Sequence, residues 1–188
     1  SLDQSRPIIG LCIGNADPSF TNRWLRVGRV FPKAWGITKM HNLLDLLIKD
    51  GNQIVLIGGP QEILLLEELT EFLKLPHVIN LVGKCSIKQS MAAIKRCTCS
   101  IGIDTGMQHI AGALSVPTIS IFGPTNPKYI GAFSDCSYFV EYETDCKYCF
   151  GTNQYLHCNH RRCLTEITPQ QVMDTVHQVL KKGNHENV

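Results

Sequence analysis

The stretch SIGIDTGMQHIAGALSVPTISIFGPT, residues 100–125, places a short polar segment between two apolar runs. If a strand ends before Asp104 and a helix begins near Thr105, the first helical amides have no partner within the helix and lie at the positive end of its dipole. Gly106 has no Cβ to keep a ligand away from the backbone, and His109 follows one turn later. This combination can bind a phosphate group. A plain N-cap formed by Asp104 or Thr105 explains the same residues.

Apolar spacing predicts an α/β fold around this segment. Strands are expected at 8–13, 53–57, 78–80, 98–103, 118–123 and 137–142, and helices at 37–51, from about 62 to 75, at 86–97, from near 105 to 115 and at 168–182. Gly51 is expected to close the first helix, Ser86 to cap the third, and Thr168 to cap the last one ahead of Pro169. Alternating strands and helices indicate a parallel sheet with helices on both faces.

Ligands of such sheets bind beyond the carboxyl ends of the strands. Three loops predicted to leave those ends are rich in glycine and polar residues: Gly14–Asn15, 58–62 with Glu62, and 104–106. Each loop alone is typical of an ordinary turn. Their convergence at one edge of the sheet indicates a binding site.

The composition limits the other possibilities. The chain has 188 residues, of which 44% are hydrophobic and 18% charged, as in ordinary globular proteins. A formal charge of +2 is too small to indicate nucleic-acid binding. No apolar run approaches the roughly 20 residues of a membrane span. Residues 1–6 are interpreted as a linker or terminal boundary, and 7–188 as one domain.

Four of the nine cysteines lie close together near the C-terminus, as Cys146-x2-Cys149 followed by Cys158-x4-Cys163. Two thiolates in a C-x2-C turn can reach one ion, so this loop, 145–165, is a candidate structural zinc site. His157 and His160 are alternative ligands. Free thiols and disulfides fit the same spacing, although the absence of an export signal favours a reducing compartment.

Five separate motifs together resemble one known family. They are FPKAWG, VLIGGPQE, NLVGKCSIKQSMAAIKRC, DTGMQHIAGALSVPTISIFGPTNP, and the late cysteine pairs with CLTEITPQQV. In this order and spacing they resemble glycosyltransferase family 9, the bacterial ADP-heptose:lipopolysaccharide heptosyltransferases. The resemblance implies the C-terminal half of a GT-B fold, a Rossmann-like domain that holds the nucleotide-sugar donor. The acceptor half with its proposed catalytic Asp has no counterpart in this sequence.

The family resemblance also suggests roles for individual residues. Asp104 would contact the donor sugar, and the amides of Thr105 and Gly106 would hold the pyrophosphate, with His109 donating from the same helix. Lys33, in the K-x-W motif, would contact a phosphate and stabilise the departing ADP. Asp104 and Lys33 are therefore the predicted catalytic residues. No D-x-D metal motif is present, so no cofactor is expected to be required for catalysis.

The resemblance assigns further donor contacts to other loops. Glu62 would hold the ribose hydroxyls, although an acid in the first turn of a helix explains it as well. Adenine would lie along 83–86, with Gly83, Cys85 and Ser86 as the contacting residues. Gly14 and Asn15 would border the phosphates. The segment 15–32, which carries Arg23, Arg26 and Arg29, is longer than the family pattern, so the contact near Gly14 is not fixed by the resemblance.

The sequence therefore predicts the donor-binding half of a glycosyltransferase that transfers a heptose from an ADP-heptose-like donor to the lipopolysaccharide core. The expected partners are the donor, the missing N-terminal acceptor domain and the core acceptor, without nucleic acid or a transmembrane segment. The resemblance implies a cytoplasmic location, with peripheral association at the inner membrane face as a further expectation. Alone, this half is expected to be inactive. The alternative is a noncatalytic GT-B-like binding module.

Overall fold

The computed structural model describes residues 2–3, 5–14 and 35–185. They form a six-stranded, entirely parallel sheet with the order β3-β2-β1-β4-β5-β6. The strands are β1 (Ile8–Cys12), β2 (Gln53–Ile57), β3 (Val78–Asn80), β4 (Cys99–Ile103), β5 (Thr118–Ile121) and β6 (Ser137–Val140). The helices are α1 (Ile37–Lys49), α2 (Ile87–Ile94), α3 (Gly106–Ala113), α4 (Pro127–Ile130), α5 (Asn153–Leu156), α6 (Arg162–Thr165) and α7 (Pro169–His185). The α/β prediction is confirmed.

The direction of strand addition reverses at the centre of the sheet. From β1 the chain proceeds outward to β2 and β3, and then returns to the other side of β1 with β4, β5 and β6. Ile9 consequently pairs with Ile54 on one side and with Cys99 on the other. In doubly wound sheets a crevice forms at the carboxyl ends of the two strands where the order reverses. Here that position lies between β1 and β4.

The helix α1 shows how apolar spacing determines packing. Its residues Met40, Leu43, Leu44 and Leu47 recur on one helical face, and all four are buried. Because this face is buried against α7, β2 and the segment Pro60–Leu69, the pattern fixes the orientation of the helix. Gly51 follows with a φ of 87°, a conformation that glycine adopts with little strain.

One predicted helix has a different form. The segment expected to be α-helical from about residue 62 to 75 consists of two 3-10 segments, Pro60–Leu69 and Phe72–Lys74. In the first of them only Glu62 and Leu69 are buried. The run ILLL distributes apolar side chains around the whole axis, so it does not define the single buried face that would stabilise an α-helix.

Side chains at the N-terminal end of α1 hold the segment that precedes α7. The indole Nε1 of Trp35, which is buried, donates to the carbonyl of Ile167 at 3.0 Å. The ammonium of Lys39 donates to the carbonyls of Leu164, at 3.0 Å, and Ile167, at 2.8 Å, and also to that of Thr165. Burial lowers the pKa of Lys39. Trp35, the aromatic residue of the K-x-W motif, therefore has a structural role.

The C-terminal region combines short helices with one long one. The cysteine-bearing loop predicted at 145–165 contains α5 and α6. The last helix begins as expected, because Thr168 caps it and Pro169 is its first residue. Within the part of the chain that the structure describes, no helix has the length and apolar character needed to cross a membrane.

Candidate functional site

Loops from the central strands meet at the carboxyl edge of the sheet. Gly14 follows β1, Gly59 follows β2, 104–106 follows β4, and Thr125 lies in the turn after β5. Because these strands are neighbours in the sheet, their loops are neighbours as well. The three glycine-rich loops selected from the sequence therefore lie around the point where the strand order reverses.

The start of α3 is not closed by a side-chain cap. Thr105 occupies the N-cap position in an extended conformation, but its side chain makes no capping hydrogen bond. Its Oγ1 atom is buried and has no hydrogen-bond partner among the described residues. Gly106 is exposed, and a Cβ built on it would have no described atom within 4 Å. The first turn of α3 thus leaves room for a ligand at the positive end of the helix dipole.

Asp104 is held by a residue that the sequence reasoning did not select. The hydroxyl of Thr125 donates to Asp104 Oδ2 at 3.1 Å, and Thr125 is only 3% exposed. The signal that could have revealed it is the polar GPT turn after β5, because β5 lies beside β4. His109 is exposed on α3, one turn after the helix begins.

Glu62 is packed into the floor of the site. Its side chain is 3% exposed, and its Oε2 accepts from the amide of Gly59 at 2.7 Å. It also lies against Gly14, where an added Cβ would come within 1.9 Å of Glu62 Cγ. The structure therefore shows the first-turn role of this acid and a reason for glycine at position 14. Its contact with ribose stays a prediction.

The loop 83–86 lies at the same edge of the sheet, beside the loop that follows β2. The amide of Gly83 donates to the carbonyl of Gly58 at 3.0 Å, and Gly83 has a φ of 68°. Cys85 is half-buried. Ser86 caps α2 as predicted, since its Oγ accepts from the Gln89 amide at 3.4 Å while Gln89 Oε1 accepts from the Ser86 amide at 2.8 Å.

Several predicted contacts lie outside the described residues. They are Asn15, Lys33 and the arginine-bearing segment 15–32. The assignment of Lys33 to a phosphate therefore rests on the sequence alone, as does any role of Arg23, Arg26 and Arg29.

The cysteine loop contains free thiols. All nine cysteines are unpaired, and Cys149 and Cys163 are buried. Burial raises the pKa of Cys149, and it raises that of Cys163 to about 11, with smaller contributions from the neighbouring cysteines of the loop. Within residues 2–3, 5–14 and 35–185, no three His, Cys, Asp or Glu side chains are arranged to hold a metal ion. The zinc site predicted from the sequence would use Cys146, Cys149, Cys158 and Cys163. In the described part of the chain these four side chains do not form a closed metal site.

Comparison with known proteins identifies the family. Residues 29–160 match the family model described as glycosyltransferase family 9 (heptosyltransferase). Lipooligosaccharide heptosyltransferase 2 of Haemophilus influenzae is 29% identical over an alignment 188 residues long. The alignment covers 94% of this chain and 48% of that protein. The chain belongs to glycosyltransferase family 9, and it spans about half the length of the curated relatives it matches.

Solved structures show the same architecture. The structure of Escherichia coli ADP-heptose lps heptosyltransferase II matches 98% of this chain and 49% of its own chain, with a TM-score of 0.75 and 24% identity. A glycosyltransferase family 9 structure from Veillonella parvula matches 97% and 48%, with a TM-score of 0.77 and 22% identity. The predicted Rossmann-like half of a GT-B fold is confirmed.

Proposed function

We propose that this domain binds the nucleotide-sugar donor of a glycosyltransferase that moves a heptose from an ADP-heptose-like donor to the lipopolysaccharide core. The observation that carries the proposal is the start of α3. A helical turn without a side-chain cap, with no described atom within 4 Å of a Cβ added at Gly106, lies at the point where the strand order reverses. Membership of glycosyltransferase family 9 supports the choice of a sugar donor over other phosphorylated ligands.

The first turn of α3 and Asp104 would recognise different parts of the donor. Backbone amides at a helix start bind anionic oxygens, so Thr105 and Gly106 would hold the pyrophosphate. A carboxylate at Asp104, held by Thr125, would accept hydrogen bonds from sugar hydroxyls. His109 would add a donor from the exposed face of the same helix.

Lys33 would supply the cation that the leaving ADP needs. The sequence has no D-x-D pair to hold a metal at the pyrophosphate, which leaves the helix amides and a basic side chain for this task. Glu62 and the loop 83–86 would contact the nucleoside on the side of β2 and β3. These roles follow from the family resemblance, and the position of the two loops at the same edge supports them.

Nucleotide titrations test donor binding directly. The chain is titrated by calorimetry with ADP, UDP and GDP and with their sugar conjugates, and the melting temperature is measured in parallel. Binding of ADP-sugars with a raised melting temperature is expected, since a ligand that binds only the folded state stabilises it. Lys33→Ala should weaken binding, whereas Lys49→Ala, which removes only an exposed pair with Asp45, should not. If every nucleotide leaves both measurements unchanged, the proposal is wrong.

Transfer should require the other half of the enzyme. Because the chain spans about half of its relatives, we expect it to bind donor without transferring sugar to an acceptor. A radiolabelled-donor assay with this chain alone, and then with a full-length relative, checks this expectation. Donor binding by this chain that restores no transfer when it replaces the matching half of the relative would instead favour the noncatalytic binding module.

We also propose that the cysteine loop binds one zinc ion after a local rearrangement. The C-x2-C turn and the later pair provide four thiols, all of them free, in one loop. In addition to burial, the neighbouring thiols of Cys149, Cys146 and Cys158 help to raise the pKa of Cys163, as expected when thiols of one loop lie near one another. A zinc ion bound by thiolates would stabilise the loop, because metal affinity contributes directly to folding free energy.

Metal analysis of protein purified under reducing conditions tests this second proposal. About one zinc per chain is expected by mass spectrometry of the metal content, and cobalt exchange should give a thiolate charge-transfer band. Cys146→Ser with Cys149→Ser should abolish both signals, while Cys136→Ser, outside the loop, should retain them. Metal-free protein that takes up no cobalt would overturn the proposal.

A further inference from the structure

Gln108 is a buried polar side chain beneath the proposed phosphate site. It is the third residue of α3 and only 2% exposed. Its Nε2 donates to Ser100 Oγ on β4 at 3.2 Å, and its Oε1 accepts from Ser120 Oγ on β5 at 3.5 Å. The amide therefore connects the first turn of α3 with two adjacent strands of the sheet.

The absence of a side chain at Gly102 leaves space in the sheet for the Gln108 amide. A Cβ on Gly102 would lie 2.5 Å from Gln108 Nε2 and 3.0 Å from Cys12 Cβ. Ser100, two residues earlier on the same face of β4, is also near Cys12, with 3.8 Å between Oγ and Sγ. Because burial of an unpaired amide is costly, the two serine contacts help to keep Gln108 in this position.

Two other helices show what a glutamine at this position usually does. In α7 the Oε1 of Gln171 accepts from the Thr168 amide at 2.7 Å, and in α2 that of Gln89 accepts from the Ser86 amide at 2.8 Å. Both are capping boxes, which satisfy amides at the helix start. In α3 the glutamine contacts the sheet instead, so it holds the first turn without covering it.

We propose that Gln108 is a positioning residue, which fixes the first turn of α3 on the sheet so that its amides meet the phosphates of the donor. The inference rests on the proposed donor-binding function. Gln108 itself is buried and acts through the backbone of Thr105 and Gly106. Its loss should therefore reduce the part of the affinity that comes from the phosphates and leave the nucleoside contribution unchanged.

Calorimetric titrations with adenosine, AMP and ADP distinguish these contributions. Gln108→Met keeps the size of the side chain and removes both hydrogen bonds. ADP is expected to bind about tenfold more weakly than to the wild type, while the affinity for adenosine is unchanged. Gln171→Met removes the matching residue of α7, so it should lower the melting temperature without changing the affinity for ADP.

Two variants at the partner residues keep the test decisive if Gln108→Met fails to fold. Ser120→Ala removes one of the hydrogen bonds, and Gly102→Ala displaces the amide from below. Both should weaken ADP binding in the same direction. If the wild type binds no nucleotide, the proposed function fails. If it binds ADP and these variants bind it equally well, donor binding stands and the inference about Gln108 is overturned.

Discussion

The helices α3 and α7 begin with the same sequence pattern and have different N-termini. Each has a threonine followed three residues later by glutamine, as Thr105 with Gln108 and Thr168 with Gln171. In α7 the Thr168 hydroxyl accepts from the Gln171 amide at 3.2 Å, and the glutamine side chain accepts from the Thr168 amide. In α3 the hydroxyl has no partner among the described residues, and the glutamine contacts the sheet.

The difference shows that packing, not local sequence, decides whether a helix start is closed. A Thr-x-x-Gln pattern favours a capping box wherever the glutamine is free to turn back. Above β4 the absence of a side chain at Gly102 and the two serine hydroxyls provide Gln108 with a buried alternative. One helix start is thereby stabilised by its own side chains, and the other is held by the sheet and left accessible.

The largest expected contrast comes from an added negative charge at the first position of each helix. Gly106→Asp and Pro169→Asp each place a carboxylate where the helix dipole favours it, so neither should lower stability by more than about 1 kcal/mol. A carboxylate at position 106 would occupy the proposed phosphate site and repel the phosphates of the ligand. We expect ADP affinity to fall about 100-fold, or roughly 2.7 kcal/mol, in Gly106→Asp alone. Calorimetric titration measures this difference.

An equal loss of affinity in both variants would show that the effect is not local to α3. Unchanged affinity in Gly106→Asp would contradict the proposed position of the phosphates.

A smaller effect is expected from alkaline pH, which tests the interior beneath α3. Burial raises the pKa of Cys12 from 9.0 to about 11. The thiolate therefore forms first in the unfolded chain, and the stabilising contribution is complete below pH 9 and is lost as the pH rises towards 11. Between pH 8 and pH 10.5 the free energy of unfolding of the wild type should fall by about 1–2 kcal/mol more than that of Cys12→Ala. Urea unfolding of both proteins at pH 8 and 10.5 measures it.

Neighbouring groups must be included in the interpretation of that pH profile. Cys97 is also buried, and its pKa of about 12 is raised in part by Cys12. If the wild type and Cys12→Ala lose the same stability between the two pH values, the thiol beneath α3 does not contribute.

The smallest effect distinguishes the two threonines. Thr168→Val removes a hydroxyl that caps α7, and we expect a loss of about 1 kcal/mol in the free energy of unfolding. Thr105→Val removes a buried hydroxyl without a described partner, so its cost should be near zero or negative. Urea denaturation measures both. A larger loss for Thr105→Val would mean that its hydroxyl has a structural role in the free protein.

The fold was predictable because most elements have one strongly apolar face. Met40, Leu43, Leu44 and Leu47 are sufficient to define α1, and the short buried strands define the sheet. The 3-10 segment at Pro60–Leu69 was wrongly expected to be α-helical, since its continuous apolar run gives no preferred face.

The candidate site was only partly predictable for a related reason. The loop 104–106 has a local pattern of its own, which marks it in the sequence. The local patterns around Thr125 and Gln108 do not reveal their roles, because their partners lie on strands that become neighbours only in the folded sheet.

The turn after β5 is built from two distant parts of the chain. The amide of Phe150 donates to the carbonyl of Pro124 at 2.9 Å, and Gly123 lies against Leu164, where an added Cβ would come within 2.4 Å of Leu164 Cγ. The next residue, Thr125, holds Asp104. The cysteine loop therefore packs against the turn that holds Asp104. If Asp104 contacts the donor as proposed, a change in the length of this loop would reach the donor through that turn, without any cysteine touching it.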